Sequence, residues 1–342
     1  MKALQLVAPQ KLEMGILPDP PDPGPGEVLV RLRSTGVCGS DMHMFSEGGI
    51  AGVETEYPSV LCHEPGGEVV ECGPGVTDLA DGAKVAVEPL VIKAECEFTR
   101  TGRQNLALAN EFMGREIPGA LREYAVMPRR NLIEIPEPLT FGDAAFVEPL
   151  AVLLHTYELA DLRMGETVAV VGTGPIGLIG VAIAKRSGAS VIVAADRIAH
   201  RLERATALGA TAAVDVRSDS AVDAVMDLTG CGAHVVVDAA GTAESINTSL
   251  ACLRPGGRMV LVGIPSAAPV PLALWTALDR EARIHVQKRS NGNDHDAVDL
   301  IRGGAIAADD IISHRFPIEQ GQEAFDMMAA YREGVIKPLI EW

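Results

Sequence analysis

A glycine-rich turn between an apolar strand and a helix constrains the fold of this chain more than any other feature. The run Gly-Thr-Gly-Pro-Ile-Gly at 172–177 follows the apolar segment Thr167–Val171 and opens a helical pattern. Glycines at this spacing permit a tight turn and the close approach of a pyrophosphate, while the helix N-terminus supplies free N–H groups. We therefore predict a dinucleotide-binding loop in which Gly174 tolerates no Cβ; its residues are Gly172, Gly174, Pro175, Ile176 and Gly177.

An acidic residue, Asp196, closes the next predicted strand. A carboxylate there accepts hydrogen bonds from the adenosine ribose and repels a 2′-phosphate, which favours NAD over NADP. The neighbouring Arg197 is able to accommodate a 2′-phosphate, and we count both Arg197 and Arg201 among the cofactor-binding residues. The alternative makes the glycines a structural βα turn and Asp196 an ordinary strand end, yet strand, loop, helix and acid follow in the expected order.

The predicted secondary-structure pattern of the chain changes near residue 151. Before it lie short strand-like runs separated by Pro and Gly turns, which predict a mostly β domain. After it, strands alternate with helical stretches, which predicts βαβ units and a parallel sheet. A length of 342 residues also favours two domains. We predict a first domain at 1–150, a nucleotide-binding domain at 151–284, and a return to the first domain at 285–342.

Charge and cysteine usage narrow the classes of partner. The formal net charge of −17 disfavours nucleic acid and anionic membrane surfaces. No export signal opens the chain and no apolar run is long enough to span a membrane, so we expect a cytoplasmic protein. Its six cysteines are expected to be free thiols or metal ligands rather than a disulfide framework.

Candidate metal ligands occur in three short segments. Cys38-Gly-Ser-Asp-Met-His43 is followed by Cys62-His63-Glu64, and a Glu-Pro pair occurs at 148–149. A thiolate, an imidazole and carboxylates are suitable ligands for a catalytic zinc site. Spacing alone favours a structural role over zinc, because a lone Cys is usually a small buried hydrophobe and a lone His is usually a hydrogen-bonded polar group.

The order of these and further motifs resembles that of the zinc-containing medium-chain dehydrogenases. The additional motifs are Asp-Gly-Ala-Lys-Val at 81–85, Gly-Ala-Leu-Arg-Glu-Tyr at 119–124 and Glu-Pro-Leu at 148–150, all before the dinucleotide loop. The last of these is similar to the sorbitol, threonine and butanediol dehydrogenase branch. The resemblance implies a two-domain α/β fold, with a GroES-like catalytic domain, a Rossmann doubly wound sheet, zinc in the cleft between them, and a homotetramer or dimer.

The resemblance also implies residue roles. Cys38 and His63 match zinc ligands, and Glu64 and Glu148 match a carboxylate that binds zinc directly or through water. Ser40 matches the hydroxyl that takes the substrate proton, and His43 the residue that passes it to solvent. The implied reaction oxidises a secondary alcohol of a polyol to a ketone, with hydride transfer to NAD. For His43 a surface histidine is the alternative.

Two departures from the family pattern lead to further predictions. The four positions of a structural zinc site become Lys93, Cys96, Thr99 and Ala107, and because one thiol cannot hold tetrahedral zinc, we expect a single, catalytic zinc per chain.

The second departure concerns the substrate pocket, where Met44 and the pair Lys288 and Arg289 replace aromatic and Arg-Tyr positions. A more cationic pocket makes a sugar acid an alternative to a sorbitol-, xylitol- or galactitol-like polyol. Threonine and 2,3-butanediol also stay open, and the two cations are equally able to lie in solvent or to bind cofactor phosphate.

The sequence argues against two other functions. A non-catalytic NAD-binding or structural protein on the same scaffold would not need the complete set of Cys38, Ser40, His43, His63 and Glu148. A zinc-free quinone reductase would bind NADPH and lack metal ligands, and both Asp196 and Cys38 argue against it.

Overall fold

The computed structural model describes residues 1–50, 52–265 and 269–342. The chain forms two compact units. The first contains Met1–Ala151 and Ser290–Trp342, and the second contains Val152–Arg289. The chain therefore leaves the first unit once and returns to it.

The strands, numbered in chain order, are β1 (Lys2–Ala8), β2 (Lys11–Ile16), β3 (Glu27–Gly36), β4 (Gly49–Ile50), β5 (Val53–Glu54), β6 (Glu64–Cys72), β7 (Lys84–Val87), β8 (Leu90–Ile92), β9 (Asn110–Phe112), β10 (Tyr124–Pro128), β11 (Leu132–Glu134), β12 (Thr167–Val171), β13 (Val191–Asp196), β14 (Ala212–Asp215), β15 (Ala233–Asp238), β16 (Leu253–Leu261), β17 (Arg283–Val286), β18 (Ile312–Pro317) and β19 (Lys337–Glu341).

The α-helices are α1 (Gly39–Glu47), α2 (Glu97–Arg100), α3 (Phe141–Ala160), α4 (Pro175–Arg186), α5 (Ala199–Ala207), α6 (Ala221–Thr229), α7 (Ala243–Cys252), α8 (Leu274–Asp279), α9 (Asp294–Arg302) and α10 (Gly321–Ala329). Among the residues described, no helix combines the length and apolarity needed to cross a membrane.

The first unit is built around a sheet of order β11-β7-β6-β3-β19-β18, with β10 also pairing β3. Along β3 the apolar side chains Val28, Val30 and Leu32 are buried at every second position, because successive residues of a strand face opposite sides of the sheet. The antiparallel register places Gly36 at the end of β3 opposite Glu64 at the start of β6. This end of the sheet holds the candidate metal ligands.

The second unit contains a parallel sheet of order β14-β13-β12-β15-β16-β17. The central strand β12 is buried along Val168–Val171, as expected for a strand covered on both faces. Its neighbours are β13 and β15, so the strand order reverses at β12, and such a reversal opens a crevice at the carboxyl ends of the strands. The loop at 172–177 lies at that end, and α4 begins within it at Pro175.

Candidate active site

Three predicted metal ligands lie together in the first unit. The candidate ligand atoms of Cys38, His63 and Glu64 are all within 4.8 Å of one another. His63 and Glu64 are buried and Cys38 is half-buried. Sulfur, nitrogen and carboxylate oxygen at this spacing form a donor set that suits zinc. We call these three residues the metal cluster; Glu148 is outside the group that meets this distance among the described residues.

The metal cluster is assembled by the pairing of β3 with β6. Cys38 follows β3 as the N-cap of α1, and His63 and Glu64 lead into β6. Gly36 is needed between them, because a Cβ there would lie 2.1 Å from Glu64 Oε2 and 2.7 Å from Lys337 Cε. A residue without a side chain at position 36 therefore makes room for the buried carboxylate.

Asp41 positions both segments of the metal cluster. The sequence motifs do not predict this role. Its Oδ2 accepts a hydrogen bond from the Cys38 N–H at 2.9 Å, and its Oδ1 accepts one from the Cys62 N–H at 3.0 Å. The same Oδ1 lies 3.6 Å from His63 Nδ1. Burial would raise the pKa of Asp41, but His63 and the backbone donors outweigh it and the pKa is lowered. Asp41 thus acts as a buried anion between the two segments.

The ring of His63 packs against Phe112, with centroids 5.0 Å apart. Burial would lower the pKa of His63, yet Asp41 and Cys38 together raise it well above its usual value. A metal ligates neutral imidazole, so metal binding has to release the proton that these neighbours favour.

Lys337 is the second residue at the site that was not predicted. Its Nζ forms an ion pair with Glu64 Oε2 and donates to the Val37 carbonyl at 3.3 Å, and its side chain is 3% exposed. Burial would lower the pKa of Lys337, but Glu64 and Cys38 raise it. Among the described residues Glu64 Oε1 has no hydrogen-bond partner. A buried carboxylate oxygen left open beside a thiol and an imidazole fits a metal ion.

Glu148, the fourth predicted ligand, is buried within α3 immediately before Pro149. Burial raises the pKa of Glu148 to about 7, and Glu64 adds to this while His63 and Lys337 oppose it. The carboxyl is thus electrostatically close to the metal cluster, and its role as a direct or water-bridged ligand stays a prediction.

The predicted relay residues lie on α1. Ser40 Oγ is buried and has no hydrogen-bond partner among the described residues. His43 is partly exposed, and its Nδ1 lies 2.9 Å from Glu47 Oε1. Met44, predicted to line the substrate pocket, is buried in the hydrophobic core of the first unit. Their roles are not tested by these positions.

The dinucleotide loop needs two of its glycines for reasons internal to the chain. Gly172 has φ +89°, and a Cβ on it would lie 2.8 Å from Ala240 N. A Cβ on Gly177 would lie 1.8 Å from the Gly172 carbonyl oxygen. At Gly174 the nearest described atom would be Arg201 Nη1 at 3.6 Å, an ordinary contact. The chain itself therefore does not enforce the expectation that Gly174 tolerates no Cβ; the space there is open to a ligand.

Asp196 is buried and holds the loop. Its Oδ2 accepts hydrogen bonds from Thr173 N at 2.6 Å and Thr173 Oγ1 at 3.1 Å. Its Oδ1 accepts from the N–H groups of Arg197 at 2.7 Å and Ile198 at 2.9 Å. These four bonds match the four lone-pair sites of a carboxylate, so the first task of Asp196 is to fix the loop. Contact with a ribose stays a prediction.

The remaining predicted residues lie in the second unit, in helices α4 and α5 and after strand β17. Pro175 and Ile176 are the first residues of α4, where Pro suits the N1 position. Arg201 is buried in α5. Lys288 is exposed, and Arg289 has φ +58° and accepts a bond from Gln287 Nε2 at 3.0 Å on its carbonyl. Their predicted contacts with substrate stay untested.

Two family models match the chain. The alcohol dehydrogenase GroES-like domain matches residues 24–137 and the zinc-binding dehydrogenase model matches residues 175–301. Together with the two sheets, the matches confirm the predicted combination of a GroES-like domain and a Rossmann domain.

Individual proteins are similar over nearly the whole chain. Sorbitol dehydrogenase of Gallus gallus is 37% identical over 90% of this chain and 87% of its own length. Sorbitol dehydrogenase of Bacillus subtilis is 31% identical over 99% of this chain and 97% of its own. A structure from Sinorhizobium meliloti 1021, assigned as a zinc-binding dehydrogenase and bound to NADP, is 32% identical with a TM-score of 0.91 and covers 100% of this chain and 99% of that one.

Proposed function

The chain belongs to the zinc-dependent medium-chain dehydrogenases, in the sorbitol dehydrogenase branch, and we propose that it oxidises a secondary alcohol of a polyol to the ketone with NAD as the oxidant. The observation that carries the proposal is the metal cluster, in which Cys38, His63 and Glu64 bring three different donor atoms within 4.8 Å. A purely structural protein on this fold has no need of such a cluster.

Cys38, His63 and Glu64 would hold the zinc ion, with Glu148 as a further or water-bridged ligand. When bound, zinc supplies Lewis acidity toward the substrate hydroxyl and NAD accepts the hydride. The chain's own residues then have to fix the ligands and move a proton. Asp41 fixes the segments that carry Cys38 and His63, through its two backbone hydrogen bonds.

Ser40 would relay the proton of the substrate hydroxyl: Oγ would accept that proton while the hydroxyl's own proton leaves toward His43. The unused hydrogen-bonding capacity of this buried hydroxyl supports the assignment, because a substrate hydroxyl would complete it. His43 would pass the proton on to solvent. Its partial exposure and its contact with Glu47 suit a group that exchanges protons with water.

The preference for NAD over NADP rests on Asp196, because a buried carboxylate at the end of β13 disfavours a 2′-phosphate. Gly172, Gly174, Pro175, Ile176, Gly177, Arg197 and Arg201 would complete the cofactor site. Kinetic measurements with both cofactors test this: a kcat/KM that is higher with NADP than with NAD would contradict the assignment.

We further propose one zinc per chain. At the four positions of a second site, Lys93 lies 3.1 Å from Glu111, Cys96 and Thr99 bond each other within one helical turn, and Ala107 carries no donor. These contacts connect the segment without metal. Metal analysis of the pure protein should give one zinc, and two would overturn the proposal.

We propose that the chain forms a homo-oligomer, a dimer or tetramer, through the outer edge of the second unit. β17 is the last strand of the parallel sheet, and its Val286 is 77% exposed. Leu274, Trp275 and Leu278 of the preceding α8 are also exposed. Among the described residues no strand pairs with the outer edge of β17, and such an edge with adjacent apolar side chains suits pairing with a second copy. If sedimentation of the wild-type protein gave the mass of a single chain, the proposal of a homo-oligomer would be contradicted.

We propose that the first unit, Met1–Ala151 with Ser290–Trp342, is the catalytic domain and that the second unit, Val152–Arg289, is the nucleotide-binding domain. The predicted return to the first domain at residue 285 is wrong by five residues, because β17 still belongs to the parallel sheet and the chain returns at Ser290. We also propose a cytoplasmic location. The free thiols at all six cysteines support it, since reducing conditions preserve them. Fractionation of the native cells would test the location.

Zinc-replete protein should reduce NAD in the presence of one or more of sorbitol, xylitol, galactitol, 2,3-butanediol, threonine or an aldonic acid. Absence of turnover with the whole panel would remove support for the enzyme.

Cys38→Ser and His63→Ala should each lose zinc and activity. Ser40→Ala should keep zinc and lose turnover, whereas the matched variant Ser46→Ala, an exposed serine on the same helix, should keep both. Retained turnover in Ser40→Ala would rule out the relay.

A further inference from the structure

The second unit contains a cationic cavity of about 420 Å³, which we call the arginine pocket. Four arginines line it together with His234; they are Arg163, Arg254, Arg258 and Arg283. In a chain with a formal net charge of −17, such a local excess of positive groups needs an explanation.

Two of the four arginines are neutralised by acids of the same pocket. Arg163 Nη2 lies 2.7 Å from Asp161 Oδ2, and Arg258 Nη2 lies 2.5 Å from Glu166 Oε2. Arg258 Nη1 also donates to the Asp161 carbonyl at 3.0 Å. These contacts use both carboxylates of the pocket, so Arg163 and Arg258 have a structural role.

Arg254 and Arg283 differ from these two arginines. Within the described chain neither guanidinium has a carboxylate at ion-pair distance, and the side-chain contact of Arg254 is with His234 Nε2. Arg283 is exposed at the start of β17. The pocket therefore presents two cationic forks without an anion.

The imidazole of His234 faces donors on both sides. Its Nδ1 lies 3.1 Å from Thr167 N and 2.8 Å from Thr167 Oγ1, while Nε2 faces Arg254 Nη1. A neutral imidazole has only one acceptor nitrogen, so an acceptor is missing. Burial, followed by Arg254, lowers the pKa of His234, while Glu166 opposes the shift.

The arginine pocket is separate from the dinucleotide loop. Its residues lie at the amino ends of β12, β15, β16 and β17, whereas the loop follows the carboxyl end of β12. β12 has five residues, and at a rise of about 3.3 Å per residue the two sites are about 15 Å apart along it.

We propose that the arginine pocket binds the dianionic phosphate group of a small molecule. Arginine forks match the oxygens of phosphate through paired charge-assisted hydrogen bonds. Arg254, Arg283 and His234 approach from three strands, and a tetrahedral anion offers acceptors in several directions at once. The cavity also has room for an organic group attached to the phosphate.

Calorimetric titration of inorganic phosphate into the zinc-loaded full-length protein tests the proposal. NADH is kept saturating so that the dinucleotide loop is filled, and ionic strength is held constant with NaCl. We expect saturable binding that Arg254→Gln and Arg283→Gln each weaken by about tenfold or more, because each removes a charged hydrogen-bond donor. The control Arg186→Gln, an exposed arginine ending α4, should bind like the wild type.

Absence of saturable binding, or equal binding by the wild type and both pocket variants, would overturn the proposal. A second readout guards against misfolding of a variant: the ring proton resonances of His234 should shift with phosphate in the wild type and not in Arg283→Gln. Repeating the titration with glycerol 2-phosphate separates the two sources, since tighter binding indicates a phosphate ester and equal or weaker binding indicates the free ion.

Discussion

The metal cluster and the dinucleotide loop each lie at the end of a sheet, yet they leave their polar groups in opposite states. In the metal cluster, Glu64 Oε1 and the nearby Ser40 Oγ are buried without partners among the described residues. In the loop, all the accepting capacity of Asp196 is used by Thr173 and the backbone that follows. The hydrogen-bonding capacity of the metal cluster is therefore partly unused by the described chain, whereas that of Asp196 in the dinucleotide loop is fully used.

This difference predicts how strongly the binding of a metal ion and of a dinucleotide should each stabilise the fold. A metal at the cluster would satisfy groups that otherwise destabilise the fold, so binding and stability are strongly coupled. A dinucleotide at the loop meets a conformation that the chain already holds, with open space at Gly174. Its binding should therefore change the fold little. The predictions below test this contrast, beginning with the largest effect.

Lys337→Met should have the largest effect. It leaves the buried Glu64 carboxylate without its ion-pair partner, and breaking a buried ion pair by removing one partner costs about 3–5 kcal/mol. Zinc would replace the lost positive charge. We therefore expect urea denaturation to show a large loss of stability in the metal-free protein and a clearly smaller loss in the zinc-loaded protein.

Lys93→Met is the matched control, because Lys93 pairs with Glu111 at the surface. Exposed pairs contribute about 0–1 kcal/mol, and the loss should not depend on zinc. An equal loss for Lys337→Met with and without zinc would mean that Lys337 does not compensate a metal ligand.

Asp41→Asn should weaken zinc binding by about 10–100-fold, the usual cost of losing a partner that orients the ligands. The amide retains one acceptor, while Asp41 accepts from both Cys38 N and Cys62 N and faces His63. Titration against a competing chelator measures the change. The control Asp78→Asn alters an exposed carboxylate paired with Arg129 and should leave zinc affinity unchanged; an equal affinity for Asp41→Asn would contradict the role.

The contrast between the sites also explains what sequence could predict. The dinucleotide loop is local: strand, glycines, helix and Asp196 lie within one βαβ unit, so their order predicts the geometry. Asp41 carried a local signal as well, since an acid three residues after an N-cap commonly turns back to the cap N–H. The family resemblance, now shown by the relatives, supplied Cys38, His63 and Glu64.

Lys337 could not be found in this way. It lies near the C-terminus and meets Glu64 only because β19 pairs with the end of β3. No spacing in the sequence encodes that pairing. The reason for each glycine was equally hidden, since the contacts of Gly172 with Ala240 and of Gly36 with Glu64 depend on distant segments.

Gly172→Ala and Gly174→Ala separate folding from binding at the loop. At Gly172 a positive φ and the nearby Ala240 backbone should make alanine cost about 1–2 kcal/mol of stability. At Gly174 the space is open, so alanine should leave the unfolding free energy nearly unchanged and raise the Kd for NADH. Urea denaturation and fluorescence titration measure the two quantities. A stability loss at Gly174 as large as at Gly172 would contradict the open space.

The smallest effects compare one hydroxyl from each site. Thr173→Val removes the hydroxyl that bonds Asp196 but keeps the backbone N–H bond and the side-chain shape, so it should cost about 1 kcal/mol. Ser40→Ala removes a buried hydroxyl that has no partner among the described residues, so it should change stability by less than about 0.5 kcal/mol or increase it. The same variant should lose turnover.

Denaturation of both variants without zinc or cofactor compares the two hydroxyls directly. If Ser40→Ala were the more destabilised, Ser40 Oγ would have to be bonded within the fold and could not be held open for a substrate. If Thr173→Val were neutral, the hydroxyl would add nothing to the loop beyond the backbone bond to Asp196. This pair of measurements therefore tests whether the Ser40 hydroxyl is retained at a cost in stability and the Thr173 hydroxyl is retained because it stabilises the fold.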